Sequence, residues 1–157
     1  MAETAAALAR IEIVTHKHLA QWLPLRHALW PDTPRAEHAS EAAAILRSKD
    51  CLTLLALVDG EPAGFAEAAL RNGYVNGCNS ALGEPVAFLE GIYVVPQFRR
   101  RGIARALCER VADWARSLGV AELASDALLD NHDSHAMHRA LGFAETERVV
   151  FFRRALK

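Results

Sequence analysis

Cysteine is scarce and unpatterned in this chain: three residues in 157, Cys51, Cys78 and Cys108, with no CxxC pair. An odd, scattered set argues against a disulfide framework and against a structural zinc site. No Cys–His spacing marks a nucleophile, so each thiol reads first as a small buried hydrophobe. Charge of one sign is missing too. The 18 Lys and Arg against 19 Asp and Glu leave a formal net charge of -1, which offers no extended basic face for nucleic acid. No apolar run approaches the roughly 20 residues that cross a bilayer. The Ala-rich start is interrupted by Glu3 and Arg10, so it lacks a secretory core and a cytoplasmic location is expected. Seven histidines include His132, His135 and His138, yet no HExxH occurs. His135 with His138 at i, i+3 is a weak ligand pair by itself, and no metal is expected.

What the chain does have is apolar material in the right periods. With 52% hydrophobic residues, the 157 positions suit one domain with a sizeable core, residues 1–10 reading as a frayed extension. A first strand is expected over Arg10–Val14, then helices over His18–Trp30 and Ala36–Arg47. Cys51–Val58 (CLTLLALV) reads as a buried strand, Asp59-Gly60 as a hairpin turn, and Pro62–Leu70 as the return strand. Val86–Val95 is the central strand. Ile103, Leu107, Val111, Trp114 and Leu118 form a helical stripe closed by Gly119. Val120–Ser125 is a further strand, Ser134–Leu141 a helix stopped by Gly142, and Phe143–Phe152 a last strand. The expected class is α/β (α+β), a central mixed sheet flanked by helices in the order β-α-α-β-β-β-α-β-α-β. Asn72–Glu84, rich in Gly and Asn, reads as a loop overhanging a cleft.

The most informative stretch is Ala87–Leu107, AFLEGIYVVPQFRRRGIARAL. It is a strand, a Pro-containing turn, and a basic Gly-containing loop opening into an amphipathic helix. The first N–H groups of a helix have no intrahelical partner, and the macrodipole adds positive charge, so this is an anion site. Gly102 removes a Cβ from the approach, and Arg99, Arg100, Arg101 and Arg105 add positive charge. The ligand should be a phosphate-bearing cofactor. The loop is neither GxxxxGK[ST] nor a three-glycine dinucleotide fingerprint.

The loop matches R-x-x-G-x-A at Arg99-Arg100-Arg101-Gly102-Ile103-Ala104. This resembles the acyl-CoA loop of the GCN5-related N-acetyltransferase superfamily, whose element order is also the one read above. A second segment, HAMHRALGF from His135 to Phe143, resembles the one in which members often carry a tyrosine that protonates the departing thiolate. Here that position is His138. An imidazole can donate a proton near neutral pH, and a helix-surface histidine without catalytic duty is the competing reading.

LRHALWPD (25–32), YVNGC (74–78), VAFLEGIYVVP (86–96), ASD (124–126) and LGFAETERVVFF (141–152) narrow the likeness. Together they resemble the aminoglycoside 6′-N-acetyltransferases of the enterobacterial and Acinetobacter type, from about Ile11 onward. The resemblance implies acetyl transfer from acetyl-CoA to the 6′-amine of an aminoglycoside, conferring resistance, by a homodimer. Thr146–Arg154 is apolar enough to pair across an interface, and burial of Val149–Phe152 within one subunit is the competing reading. It places Trp30 and Tyr74 in the drug cleft, Glu90, Asp126 and Glu147 as acidic contacts, and Asn131 on the loop after Asp126. Thr33 falls where relatives bring a polar side chain. On the cofactor side it assigns Ile92, Tyr93 and Val94 to the strand edge that pairs with pantetheine, in the manner of β-addition. It assigns Arg100, Arg101, Gly102, Ile103, Ala104 and Arg105 to the pyrophosphate loop.

Residue chemistry agrees with a polycationic substrate. Glu90, Asp126 and Glu147 sit in or at the mouth of apolar strands, where a carboxylate is costly unless it is paired or lines a polar cleft. Direct attack without a covalent enzyme intermediate is expected. Glu90 is the preferred general base over Asp126, and the Val94 N–H polarises the thioester oxygen. Two alternatives stay open at this point: another polyamine, amino sugar or peptide amine as acceptor, and a non-catalytic acyl-CoA-binding regulatory module.

Overall fold

The computed structural model describes residues 8–81 and 83–157. Five strands form one mixed sheet in the order β1-β2-β3-β4-β5: β1 Arg10–Ile13, β2 Cys51–Val58, β3 Glu61–Arg71, β4 Val86–Val94 and β5 Leu123–Ala124. All neighbours are antiparallel except β4 with β5, which run parallel. Four helices complete the fold: α1 Leu19–Leu29, α2 Arg35–Arg47, α3 Ile103–Ser117 and α4 His132–Ala140. Asp59 and Gly60 both adopt positive φ, +50° and +83°, the geometry that turns β2 tightly into β3.

Successive side chains of a strand point to opposite faces, and β2 shows why its sequence is apolar throughout. Leu54, Ala56 and Val58 pack with Ile103, Leu107 and Val111 of α3 on one face. Leu55 and Leu57 pack with Trp22 and Leu25 of α1 and Ala42 of α2 on the other. The sheet is thus covered on both sides, by α1 and α2 together and by α3.

Two irregularities shape the region where chemistry is expected. In the β3–β4 ladder Glu67 faces Gly91 while Ala68 faces Leu89, which leaves Glu90 as an extra residue on β4. Such a bulge breaks the alternation and re-aims a side chain. The β4–β5 pairing covers only Ala87 with Leu123 and Phe88 with Ala124. Beyond Phe88 the two strands part, so the far edge of β4 has no strand beside it. Val95 N–H donates to the Ala63 carbonyl at 2.8 Å, so the preceding Val94 peptide groups face the opposite, open side.

The expected strand over Val120–Ser125 shortens to Leu123–Ala124, and the expected last strand over Phe143–Phe152 is not formed: residues 143–157 hold no helix or strand. A strand needs an edge to pair with, and a two-residue β5 supplies almost none. Nor does the single chain give this segment a surface to bury against: Val149 is 56% exposed and Phe151 and Phe152 93%. Residues 1–7 of the expected frayed extension lie outside the described residues. Among the described residues, no helix is long and apolar enough to cross a membrane.

Candidate active site

The anion loop is built by two left-handed residues before α3, Arg100 at φ +61° and Gly102 at φ +78°. A Cβ added to Gly102 would meet nothing within 4 Å, so it is the backbone angle rather than crowding within the chain that calls for glycine. The helix ladder starts with Ala106 N–H donating to the Gly102 carbonyl at 3.0 Å. The N–H groups of Ile103, Ala104 and Arg105 therefore have no helical acceptor, and no side chain caps the helix. These donors and the open edge of β4 at Val94 fit the pyrophosphate and amide groups of an acyl-CoA.

The arginines expected as mobile charge are mostly tethered. Arg99 Nε donates to the Val94 carbonyl at 2.8 Å, and Arg105 Nη2 donates to the Ala140 carbonyl at 2.6 Å, where it caps the end of α4. The Arg101 guanidinium lies 5.4 Å from the Phe98 ring centroid. The exposed Arg100 forms no side-chain hydrogen bond among the described residues.

Across β4, a cavity of about 580 Å³ is lined by Arg26, Trp30, Thr33, Glu41, Glu67 and Glu90, among others. Trp30 is held from several directions. Its ring lies 5.0 Å from the Arg26 guanidinium and 6.5 Å from the His38 ring, nearly parallel to it, while Phe65 meets it edge-on at 6.1 Å. Its other seat is Gly91, where an added Cβ would stand 2.6 Å from Trp30 Cζ2 and Cη2. The glycine after Glu90 is there because the indole occupies the space a side chain would need.

Beneath the cavity is a buried charge network that the sequence reading did not single out. Glu67 Oε1 accepts from Trp22 Nε1 at 3.0 Å and Arg26 Nε at 2.6 Å, and Oε2 accepts from Arg26 Nη2 at 3.2 Å. Arg26 Nη1 also donates to Glu41 Oε2 at 2.9 Å. Burial pushes the Glu67 carboxyl up, and the donors aimed at its oxygens oppose that shift. The missed signal was present: Glu67 is the only charged residue in the run PAGFAEAAL, and Arg26 lies in a mostly apolar helix. Glu90 is also paired. Arg71 Nε donates to its Oε1 at 3.0 Å and Arg71 Nη2 to its Oε2 at 2.6 Å.

Of the remaining predicted residues, Tyr74 and Glu147 are brought together at the loop over 72–84, and Asp126 and Asn131 are not. Tyr74 hydroxyl donates to Glu147 Oε1 at 2.5 Å, and that carboxylate holds the phenol proton on. Asn76 Nδ2 donates to the Ser125 carbonyl at 3.2 Å, and Thr146 Oγ1 donates to the Asn76 carbonyl at 2.7 Å. Ser125 Oγ lies 3.3 Å from the Leu89 carbonyl oxygen, which brings the backbone before Asp126 against the backbone before Glu90. Asp126 is exposed, and its carboxylate has no hydrogen-bond or ion-pair partner among the described residues. Asn131 is occupied otherwise: its side-chain oxygen accepts from Ser134 N–H at 3.1 Å and caps α4.

His138 is fixed at both nitrogens. Nδ1 lies 2.7 Å from the Ser134 carbonyl oxygen, which can only accept, so Nδ1 carries a proton. In the neutral ring Nε2 then accepts from Ser125 Oγ at 2.7 Å. A neutral His138 in this geometry has no Nε2 proton to give.

A mixed sheet that splits after two parallel pairs, with an anion loop at one side of β4 and a carboxylate-lined cavity at the other, is the framework of an acyl-CoA-dependent N-acyltransferase. Comparison with known proteins agrees: the acetyltransferase (GNAT) family model matches residues 19–143, and the chain belongs to that family. It is 51% identical over 142 residues to the aminoglycoside N(6′)-acetyltransferase type 1 of Acinetobacter genomosp. 13, covering 90% of this chain and 94% of the relative. It is 50% identical over 147 residues to the protein of the same description from Serratia marcescens, covering 93% and 99%. Among solved structures it superposes on aminoglycoside N-acetyltransferase AAC(6′)-Iy in complex with CoA at a TM-score of 0.90, with 41% identity and 98% and 99% of the two chains covered.

Proposed function

We propose that this chain transfers the acetyl group of acetyl-CoA to the 6′-amine of aminoglycosides and thereby confers resistance. The observation that carries the reading is the juxtaposition of an acyl-CoA loop with an acidic cavity on either side of the bulge at Glu90. It is supported by the relatives of that description and by a solved AAC(6′)-Iy complex with the bisubstrate analogue CoA-S-monomethyl-acetylneamine, to which this chain is 42% identical at a TM-score of 0.89, with 96% and 100% of the two chains covered.

Acetyl-CoA supplies the thioester; the protein supplies position, charge and a proton acceptor. Ile103, Ala104 and Arg105 N–H groups receive the pyrophosphate, and the open edge of β4 at Ile92, Tyr93 and Val94 aligns the pantetheine arm. Val94 N–H faces the thioester oxygen and polarises it. Trp30, Tyr74, Glu90 and Glu147 hold the drug. The 6′-amine is mostly protonated near neutrality and must lose a proton before attack. Asp126 accepts it, directly or through a water, in preference to Glu90, because Asp126 is unpaired among the described residues whereas Glu90 serves as the seat of a cation, Arg71 in this structure. Holding amine and thioester together contributes up to roughly 7–11 kcal/mol in ideal cases.

Thiol release from acetyl-CoA tests the reading. Turnover is expected with kanamycin or tobramycin and none with an analogue bearing a hydroxyl in place of the 6′-amine. Equal thiol release with that analogue would place the acetyl group elsewhere on the drug.

The same reading includes a cytoplasmic location, where acetyl-CoA is available, and a homodimer. The apolar segment from Val149 to Phe152 supports the dimer, since it lies exposed in the single chain and a second copy would cover it. Light scattering after gel filtration should give twice the 17.2 kDa chain mass; a species of one chain mass alone rejects the dimer.

A further inference from the structure

We infer that Arg71 is a built-in placeholder cation: in the free enzyme its guanidinium occupies the carboxylate of Glu90, and a substrate ammonium takes its place. The inference rests on the aminoglycoside reading above and adds a residue that sets affinity for the drug. Arg71 ends β3 and stands across from β4, where its fork reaches both oxygens of the bulged Glu90, at 3.0 and 2.6 Å. Its guanidinium carbon lies over Phe88, 3.5 Å from the ring centroid.

Charge counting in the cavity explains what the pair does. Three of the carboxylates lining it are Glu41, Glu67 and Glu90. Arg26 is bonded to both Glu41 and Glu67, so these three groups together carry one surplus negative charge. Glu90 with Arg71 is then a neutral pair, and the empty cavity keeps that single surplus. A polycationic ligand therefore gains the Glu90 charge only by separating Glu90 from Arg71.

Two geometries of influence compete. Arg71 either orients Glu90 for the substrate or occupies it. The bidentate fork favours occupation, because both oxygens are engaged and the Arg71 side chain is 43% exposed beside them. An approaching ammonium meets a cation first. The exchange is not costly, since a pair with side chains 43% and 31% exposed is held weakly and the released guanidinium finds water. The Phe88 face offers the guanidinium a second seat, so the charged end can leave Glu90 without leaving the ring.

The test uses Arg71→Met, which keeps an unbranched apolar side chain and removes the charge, with Arg71→Lys as the milder variant. Tobramycin binding is read by calorimetry and turnover by thiol release. In Arg71→Met, Kd and KM for tobramycin should fall roughly fivefold, the tenfold-per-1.4 kcal/mol equivalent of one exposed ion pair. kcat should change less than KM, the Kd for acetyl-CoA should stay at the parent value, and Arg71→Lys should fall between. The gain should vanish when Arg71→Met is combined with Glu90→Gln, a coupling that a merely structural arginine would not produce. A rise in tobramycin Kd, or the same gain in both backgrounds, overturns the inference. A parent that binds tobramycin without releasing thiol removes the function and leaves the Arg71 comparison standing; a parent that does not bind it overturns both.

Discussion

Glu67→Gln is expected to lower the melting temperature by about 6–20 °C. Removing one member of a buried ion pair costs about 3–5 kcal/mol, and a domain of this size loses roughly 2–4 °C for each kcal/mol. The physical reason is that Arg26 and Glu67 are only 4% and 5% exposed at their side chains. The amide can still accept one bond, but its NH2 end then faces an Arg26 donor or the Trp22 N–H. Among the described residues the guanidinium is left with Glu41, which is 45% exposed, as its carboxylate partner. Calorimetry or circular dichroism reads the shift. The double variant Arg26→Met with Glu67→Leu should recover much of the loss, because a buried charge without its partner, more than a missing bond, is what destabilises. A Glu67→Gln shift below about 2 °C would mean that water reaches the pair. Trp30 couples this network to the cavity it lines, since its ring leans on Arg26 and His38, and the His38 Nε2 lies 3.1 Å from the Trp30 carbonyl.

Glu67 also shows where sequence reasoning stopped. A carboxylate in an apolar strand demands a reason, and the argument that points to Glu90 applies unchanged to Glu67. What the sequence does not carry is the answer to that demand, because the cation is Arg26, 41 residues away on α1. Arg71 is 19 residues from Glu90 in the same way. The bulge that re-aims Glu90 is invisible for a related reason: it is a property of the β3–β4 register, and a strand read alone has none.

Local signals did better. The short apolar run CLTLLALV matches β2 to the residue, and the stripe Ile103, Leu107, Val111 matches α3 and the face it buries. The positive charge before α3 was legible too, but its tethering to the Val94 and Ala140 carbonyls depends on neighbours brought in by the fold. Phe143–Phe152 has strand composition without a strand, since composition supplies the propensity and a partner edge supplies the structure. The loop over 72–84 is less loose than its Gly and Asn content suggests. Glu122 accepts from Asn79 N–H at 3.0 Å and from Ser80 Oγ at 2.7 Å, bonds that hold its carboxyl below the usual range.

Asp126→Asn is expected to lower kcat by about 10²–10⁴, the usual contribution of a positioned base, with little change in KM for acetyl-CoA. The amide keeps the size and one acceptor of the carboxylate, so losses in fold or drug placement stay small while proton acceptance is removed. Glu90→Gln should behave differently, raising KM for the drug more than it lowers kcat, because its charge serves binding once Arg71 has moved aside. The pH dependence separates the two further. Without a base the enzyme can use only amine that is already neutral, so kcat/KM of Asp126→Asn should keep rising, close to tenfold per pH unit, up to the pKa of the 6′-amine. Steady-state thiol release across pH reads both variants. A larger kcat loss in Glu90→Gln than in Asp126→Asn would return the proton to Glu90. It would also mean that the ammonium which takes the place of Arg71 at Glu90 is the reacting 6′-amine itself.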